Sequence, residues 1–472
     1  MAHLYFHNLH YEKFPDGTVK CIEDEIPFEL PEGWRWDRLG NVSIIARGGS
    51  PRPIESYITD DENGINWIKI GDTEKDGKYI FKTKEKIKPE GLSKSRYVES
   101  GDFLLTNSMS FGRPYILRTD GCIHDGWLVI GNIDTVFNQD FLYYALSSYF
   151  MYQTLSLLAA GSTVKNLKSD TVKSVLFPIP PMREQKRIAE KIDSLISFVI
   201  KIESDKTDLQ TTIQLTKSKI LELAIRGKLV PQDPNDEPAS ILLERIRTEK
   251  EELIKQGKIK RDKKESVIFK GDDNSYYEKI GDTVTCIDEE LPFDIPENWA
   301  WIRLSSACII NPKNNISDDT LVSFVPMTLI QDGYANEFTF EQRKWGEVKK
   351  GFTHFAENDV GFAKITPCFE NRKSVVFRGL CNGYGAGTTE LYILRTFPDT
   401  IMPEYILYIV KTESFLVGGK QTCAGVVGQQ RISKDYVCDY LVPVPPLNEQ
   451  ERIINKCAEI MTMLHNIEKS LS

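Results

Sequence analysis

The sequence contains no apolar run approaching the roughly 20 residues that span a bilayer, so no membrane-spanning role is expected. It opens Met1-Ala2-His3 without the basic and apolar regions of a secretory leader, which predicts a cytoplasmic protein. Nine cysteines, an odd number, include no CxxC pair. Reduced, mostly buried thiols are therefore expected in place of disulfides or a zinc site. A GxxxxGK[ST] phosphate loop is missing, and with it a helicase or translocase motor. Also missing are the NPPY or DPPY tetrapeptides that adenine methyltransferases use against a flipped base. HExxH and GxSxG are absent too, and no catalytic residue is assigned. His3, His7 and His10 have helical spacing but read as a terminal tail, not a metal site. GYGAG at 383–387 lacks the strand-turn-helix context and the downstream acid of a dinucleotide loop.

Positive charge is also in short supply. Fifty-nine basic residues face 68 acidic ones, a net charge of −9. That argues against DNA binding, since phosphate contacts need local positive charge. It leaves open a basic face on an acidic chain, or positive charge lent by partner subunits.

The chain does contain a repeat. YEKFPDGTVKCIEDEIPFELPEGWRWDRL at 11–39 returns as YEKIGDTVTCIDEELPFDIPENWAWIRL at 277–304. Pro31, Trp34, Trp36 and Leu39 recur as Pro296, Trp299, Trp301 and Leu304, each displaced by 265 positions. Far downstream, FPIPPMREQKRI at 177–188 returns as VPVPPLNEQERI at 442–453 with the same displacement, Pro180 becoming Pro445. Two landmarks sharing one offset indicate tandem duplication of a large unit, far longer than a solenoid repeat. Between them, 44–130 and 309–390 share only scattered features such as Asp102 and Asp359. Two similar frames with different inserts suit a protein that reads two different targets.

Each PPxxEQ motif marks a helix start, with proline at the first helical position and Glu184 or Glu449 in the first turn, where the helix dipole favours negative charge. No catalytic work is assigned to these glutamates. Beyond the first motif, Ile188, Ile192, Leu195, Val199 and Ile202, then Leu209, Ile213, Ile220 and Leu223, step by fours and threes once Lys206 and Thr216 fill the two missing seam positions. Ile453, Cys457, Ile460, Leu464 and Ile467 repeat the register after the second. Such spacing predicts a coiled-coil seam against a partner helix. The first helix should run over about 182–225, roughly 60 Å, and stop at Gly227. A second helix is expected over 239–257, followed by the charged linker KIKRDKKES.

The expected fold is α/β (α+β): two globular domains in a tandem pseudo-twofold repeat, separated by long antiparallel coiled-coil helices. Domain 1 should cover 1–180 and domain 2 should cover 266–446. A central helical spacer with its linker fills 181–265, and a spacer helix fills 447–472. Each domain mixes short strands (NWIKIG, GDFLLTN, VSFVPM, ELYILR) with helices (DFLYYALSSYFMYQTL, EYILYIVKTESFLVG), in an undetermined sheet order.

Polar loops between those elements carry the residue types that read duplex DNA: Arg for guanine, Asn or Gln for adenine, Lys and Ser for phosphate. In domain 1 the candidates are Arg47, Ser50 and Arg52; Asn107, Ser108, Ser110 and Arg113; and Lys165, Asn166 and Lys168. In domain 2 they are Lys364, Thr366, Asn371, Arg372 and Lys373, with Gln429, Gln430 and Arg431. GQQRIS aligns with KNLK, Leu167 corresponding to Ile432. Each loop reads either as a DNA contact or as a solvated connection, as does the lysine-rich stretch 69–96.

The residues resemble one family: the specificity subunits of type I restriction–modification systems. LPEGWRWDRLG and IPENWAWIRLS resemble the openings of its target-recognition domains, and PIPPMREQKRI and PVPPLNEQERI resemble their closings. AIRGKLVPQDPNDEPASILLERI resembles the family's central segment, and EVKKGFTHF, AKITPCFENRK and GTTELYILR one type of recognition domain. The resemblance implies a non-catalytic reader of a bipartite, asymmetric double-stranded DNA target whose gap is set by the paired helices. It implies two methyltransferase subunits using S-adenosylmethionine, and restriction subunits using ATP and magnesium, with no cofactor in this chain. A scaffold for another phage-defence or fused restriction–methylation system is the alternative; a protein adaptor and a standalone enzyme are further ones. One departure is visible: the last helix is shorter than its sibling, at roughly 33 Å.

Overall fold

The computed structural model describes residues 9–74, 77–107, 111–159, 166–261, 265–425 and 430–471. The chain divides into two compact units, Met1–Ile202 and Glu203–Ser472. The division falls inside the long helix α1 (Met182–Ile225) and not at either end of a separate spacer. The reason is packing. Leu221, Ala224 and Ile225 of α1, and Leu242, Leu243 and Ile246 of α2 (Ala239–Lys255), are buried in the same core as Trp299, Leu304 and Ile453. The second half of the expected spacer thus belongs to the second unit.

The duplicated landmarks pair with each other in both units. In unit 1, strand Arg35–Arg38 lies antiparallel to Leu176–Ile179, with Trp36 opposite Pro178. In unit 2, Ala300–Arg303 lies antiparallel to Leu441–Val444, with Trp301 opposite Pro443. The register is identical after a shift of 265. Arg38 donates to the carbonyl of Ser174 at 2.7 Å and Arg303 to that of Asp439 at 2.8 Å. Each arginine also pairs with two glutamates, Glu12 and Glu25 or Glu278 and Glu290.

The divergent inserts share one topology as well. Unit 1 has a sheet ordered Ile44–Arg47, Trp127–Gly131, Phe103–Thr106, Pro114–Leu117, Tyr79–Ile80. Unit 2 has Cys308–Ile310, Leu391–Thr396, Val360–Ala363, Ser374–Val376. A second sheet in each unit is built on a parallel pair, Ile65–Ile68 with Gly121–Ile123 and Leu321–Val325 with Tyr384–Gly387. Alternation along the strands explains the layers. Phe103 and Leu105 face the helices with Leu142 and Phe177, whereas Leu104 meets Ile68 and Trp127 between the sheets.

Each helical stretch expected as one rod is two. Gln139–Ser147 and Tyr149–Leu158 break at Ser148, whose side chain accepts from the Met151 N–H. Pro403–Lys411 and Glu413–Gln421 break at Thr412, which accepts from the Phe415 N–H. A hydroxyl that caps a new helix competes with continuing the old one.

The seam is realised over only part of its expected length. In unit 2, α3 (Leu447–Ser470) runs antiparallel to the end of α1: Gln214 and Lys217 each meet Glu468 at 2.6 Å, while Gln232 reaches Glu449 at the opposite end. Ile453 and Cys457 are fully buried, Ile460 and Leu464 half-buried, and Ile467 exposed. In unit 1, Ile188 packs on the domain core and Ile192 is half-buried, but Leu195, Val199 and Ile202 are each about half exposed.

Candidate nucleic-acid interface

In unit 1, three predicted loops converge on the turn His124–Gly126, which joins strands Gly121–Ile123 and Trp127–Gly131. Strand Ile44–Arg47 runs into this turn because Gly48 lets the backbones touch; a Cβ there would lie 2.2 Å from the His124 carbonyl oxygen. The Arg47 guanidinium donates to the Asp125 carbonyl at 2.9 Å, and the Asn107 amide donates to the same oxygen at 2.7 Å. Ser50 Oγ donates to the Asp125 carboxylate at 3.0 Å and accepts from the Asp125 N–H at 3.2 Å. Arg52 pairs with that carboxylate at 3.3 Å while its side chain stays 80% exposed. Burial pushes the Asp125 carboxyl up, but the Ser50 hydrogen bond and the charges of His124, Arg52 and Arg47 hold it below its ordinary value.

An open cavity of about 950 Å³ adjoins this turn, lined by Ser50, Arg52, Trp67, Lys69, His124 and Asp125 among others. A neighbouring one of about 610 Å³ is lined by Arg47, Lys69, Asn107, His124, Asp125 and Asn166. Arg47, Ser50, Arg52, Asn107 and Asn166 are therefore brought together. Lys168 is exposed at the start of helix Ser169–Lys173, and Arg113 lies 5.5 Å from the Tyr115 ring. Ser108, Ser110 and Lys165 lie outside the described residues, as do His3 and His7.

Asn107 departs from its expected role. It is 1% exposed, and its amide is committed to the Asp125 carbonyl while its own carbonyl accepts from the Leu167 N–H at 2.8 Å. It holds three loops together and presents little to a ligand. Much of the lysine-rich stretch is spent locally as well: Lys69 on Glu85, Lys84 on the Gly71 carbonyl, Lys86 on that of Glu62 and Lys88 on that of Ser56.

Unit 2 repeats the arrangement at the end of strand Val360–Ala363. The Ile432 N–H donates to the Lys364 carbonyl at 3.0 Å, as the Leu167 N–H does to that of Asn107, so Ile432 and Leu167 hold equivalent places in their units. Thr366 N–H donates to the Gln430 carbonyl at 2.8 Å. Arg431 makes two bonds of 2.8 Å to Glu390, which holds that carboxyl below its ordinary value. Lys364, Thr366, Gln430 and Arg431 thus form one cluster, with Thr366 itself buried; Gln429 lies outside the described residues.

Asn371, Arg372 and Lys373 do not join it. Arg372 bonds the Lys411 carbonyl and Glu413 and stacks 5.0 Å from Tyr334, while Lys373 donates to the Ile330 carbonyl and faces Asp332. Asn371 is exposed and its carbonyl accepts from Gly333 N–H. Arg372 and Lys373 are cross-braces whose heads point inward.

His124, Asp125 and Glu390 were missed by residue-type reasoning, whereas Lys69 opens the lysine-rich stretch that it singled out. The Asp-Gly pair at 125–126, a turn signal between two apolar runs, marked the place. GYGAG is not a loop but strand Tyr384–Gly387, where a Cβ on Gly385 would meet the Phe355 ring at 2.0 Å. Among the described residues no group of three His, Cys, Asp or Glu could hold a metal ion, and no helix is long and apolar enough to cross a membrane.

Comparison with known proteins points to one family. Residues 31–211 match the model described as type I restriction modification DNA specificity domain. The chain is 46% identical over 267 residues to the type I restriction enzyme EcoAI specificity subunit of Escherichia coli, covering 56% of this chain and 42% of that one. The EcoEI specificity subunit, also from Escherichia coli, matches at 44% over 258 residues, or 54% and 40%. The EcoDI specificity subunit matches at 22% over 465 residues, or 94% and 85%. The chain is similar to type I restriction enzyme specificity subunits. The aligned stretch spans about two fifths of the length of the first two relatives. The HsdS subunit of Thermoanaerobacter tengcongensis shares the specificity-subunit fold at a TM-score of 0.54 and 18% identity, over 94% of this chain and 93% of that one. A chain from a study of complex assembly and conformational transition in a type I R-M system gives 0.56 and 18%, over 94% of each.

Proposed function

We propose that this chain is a specificity subunit that reads a bipartite, asymmetric duplex DNA target, one half with each unit, and carries out no chemistry itself. One observation supports this most: the polar loop clusters around Asp125 and around Arg431 occupy equivalent places in two units of one topology but carry different side chains. A shared frame fixes how each cluster meets a duplex, and the different residues give each half its own base preference. Arg47, Ser50, Arg52, Asn166 and Lys168 serve the first half, and Lys364, Gln430 and Arg431 the second.

The long helix supplies the remaining role. Phe198 and Ile200 of α1 are 61% and 60% exposed, beside Leu195, Val199 and Ile202. A face so apolar on a helix invites a partner, and methyltransferase subunits are the partners this family implies. Restriction subunits complete the assembly. S-adenosylmethionine, ATP and magnesium act in those partners, and the complex works on cellular DNA in the cytoplasm.

Methylome sequencing of the native host with and without this gene tests the reading. Loss of N6-methyladenine from one bipartite motif is the expected outcome, and would give both half-sites and their gap. An unchanged methylome with the gene expressed would overturn it, in favour of a scaffold serving another system.

A further inference from the structure

Unit 2 contains a cavity lined by no residue of the loop clusters around Asp125 or Arg431. It measures about 210 Å³ and lies between α2, strand Ser266–Lys270 and strand Ala300–Arg303, with Leu243, Ile246 and Ile268 among its apolar walls. An apolar cavity of about 150 Å³ stays dry and takes benzene. Size and walls alone would therefore suit a small hydrocarbon. The polar lining does not.

Three lining residues carry donors that the fold leaves unused. Trp301 is 1% exposed, and its indole N–H is buried without an acceptor. Ser306 is 9% exposed, and its hydroxyl makes no hydrogen bond among the described residues. The Lys250 side chain is 9% exposed and meets a carboxylate only at 3.5 Å, that of Glu265. A lysine stem commonly carries its ammonium out to water; this one is held inside. Buried donors without acceptors are few in folded proteins and recur where water or an ion completes them. The orphaned indole alone would not mark a site, because Trp36, at the matching place in unit 1, lacks an acceptor too. There, however, Asn41 stands for Ser306 and spends its amide on Asp37 at 3.0 Å. The buried ammonium and the free hydroxyl beside the indole distinguish unit 2.

The two lining carboxylates are already served. Arg261 bonds Glu251 at 2.6 and 2.7 Å and pairs with Glu265 at 3.4 Å. Arg247, which also lines the cavity, is exposed and makes no ion pair among the described residues. Arg247, Lys250 and Arg261 against Glu251 and Glu265 leave an excess of one positive charge.

We propose that this cavity binds a small organic monocarboxylate. Its carboxylate accepts from the Lys250 ammonium, the Ser306 hydroxyl and the Trp301 indole, and its short apolar body lies against Leu243, Ile246 and Ile268. A carboxylate offers about four lone-pair sites, enough for three donors, and its single charge matches the local excess. Water would bring no charge, and an inorganic anion would leave the apolar walls bare.

The test labels the full chain with 5-fluorotryptophan and follows its seven tryptophans by fluorine NMR, with Trp301→Phe identifying one resonance. Benzoate or isobutyrate should shift that resonance saturably, at one site per chain. Benzamide, the neutral counterpart of benzoate, should bind about tenfold more weakly or worse, since hydrogen bonds to a charged group are the stronger ones. Lys250→Met should weaken benzoate by a similar factor and Ser306→Ala severalfold. Thermal unfolding shows whether each variant folds; should Lys250→Met fail, Ser306→Ala and benzamide still decide. A resonance that neither acid moves saturably leaves the cavity to water and overturns the proposal. Equal binding of benzamide overturns the carboxylate. Inorganic phosphate binding more tightly than both acids would make this an inorganic-anion site and overturn the proposal as well.

Discussion

Lys411 is 1% exposed, and its ammonium donates to the carbonyls of Gly333 at 2.7 Å and Arg372 at 3.1 Å. Burial, aided by the Arg372 charge and opposed by Asp332, brings its pKa down to about 7. Lys373 and Glu413 are the other charged groups gathered at Arg372 and Asp332. The unfolded chain keeps that proton until the ordinary lysine value of 10.5. Between the two values the unfolded state binds more protons, so the stability of unit 2 should rise with pH. Urea midpoints of the wild type should therefore climb from pH 7 to 9, and those of Lys411→Met should stay flatter. A parallel rise in both would refute the linkage. Residue identity alone hid this role, just as it hid that of Asn107. A sequence shows that a side chain can donate; it does not show whether folding leaves the donor facing water.

At the scale of elements, the PPxxEQ motif was legible as a helix start and its glutamine was not. Gln450 is fully buried: it accepts from the Met402 N–H at 2.8 Å and donates to the carbonyls of Pro445 at 3.0 Å and Thr400 at 3.2 Å. Gln185 does the same with Asn138, Pro180 and Val136, at 2.8, 2.9 and 2.8 Å. Each amide ties a helix N-terminus to a loop nearly fifty positions upstream, a separation that no local pattern reveals. Gln185→Leu or Gln450→Leu should cost about 3 kcal/mol or more, since an orphaned buried polar group costs roughly 1–3 kcal/mol. The Glu substitutions should be worse, because a carboxylate cannot donate to either carbonyl. Chemical denaturation checks this, with Gln185 variants loosening unit 1 and Gln450 variants unit 2. The breaks at Ser148 and Thr412 were likewise concealed, because both helical halves are apolar enough to read as one run.

Across the whole molecule, the offset of 265 exposed the duplication, yet the common sheet order of the inserts stayed out of sight. Ladders are made by backbone groups, so strands can keep their neighbours while nearly every side chain changes. That freedom lets two copies of one frame carry unlike loop residues, and on the proposed function it should make the two halves of a target separable by mutation. Arg52 is the cleanest probe in unit 1. Its exposed pair with Asp125 adds at most about 1 kcal/mol to stability, so Arg52→Ala should fold normally. Arg431 is the counterpart in unit 2, 45% exposed and held by Glu390. If each guanidinium reads a base, its loss should remove about 1–3 kcal/mol of discrimination at one position. Methylated motifs recovered from cells carrying Arg52→Ala should then relax in one half-site only, and those from Arg431→Ala in the other. Relaxation of both halves by one substitution would mean that the units do not read independently, and an unchanged motif would remove that arginine from the DNA contacts.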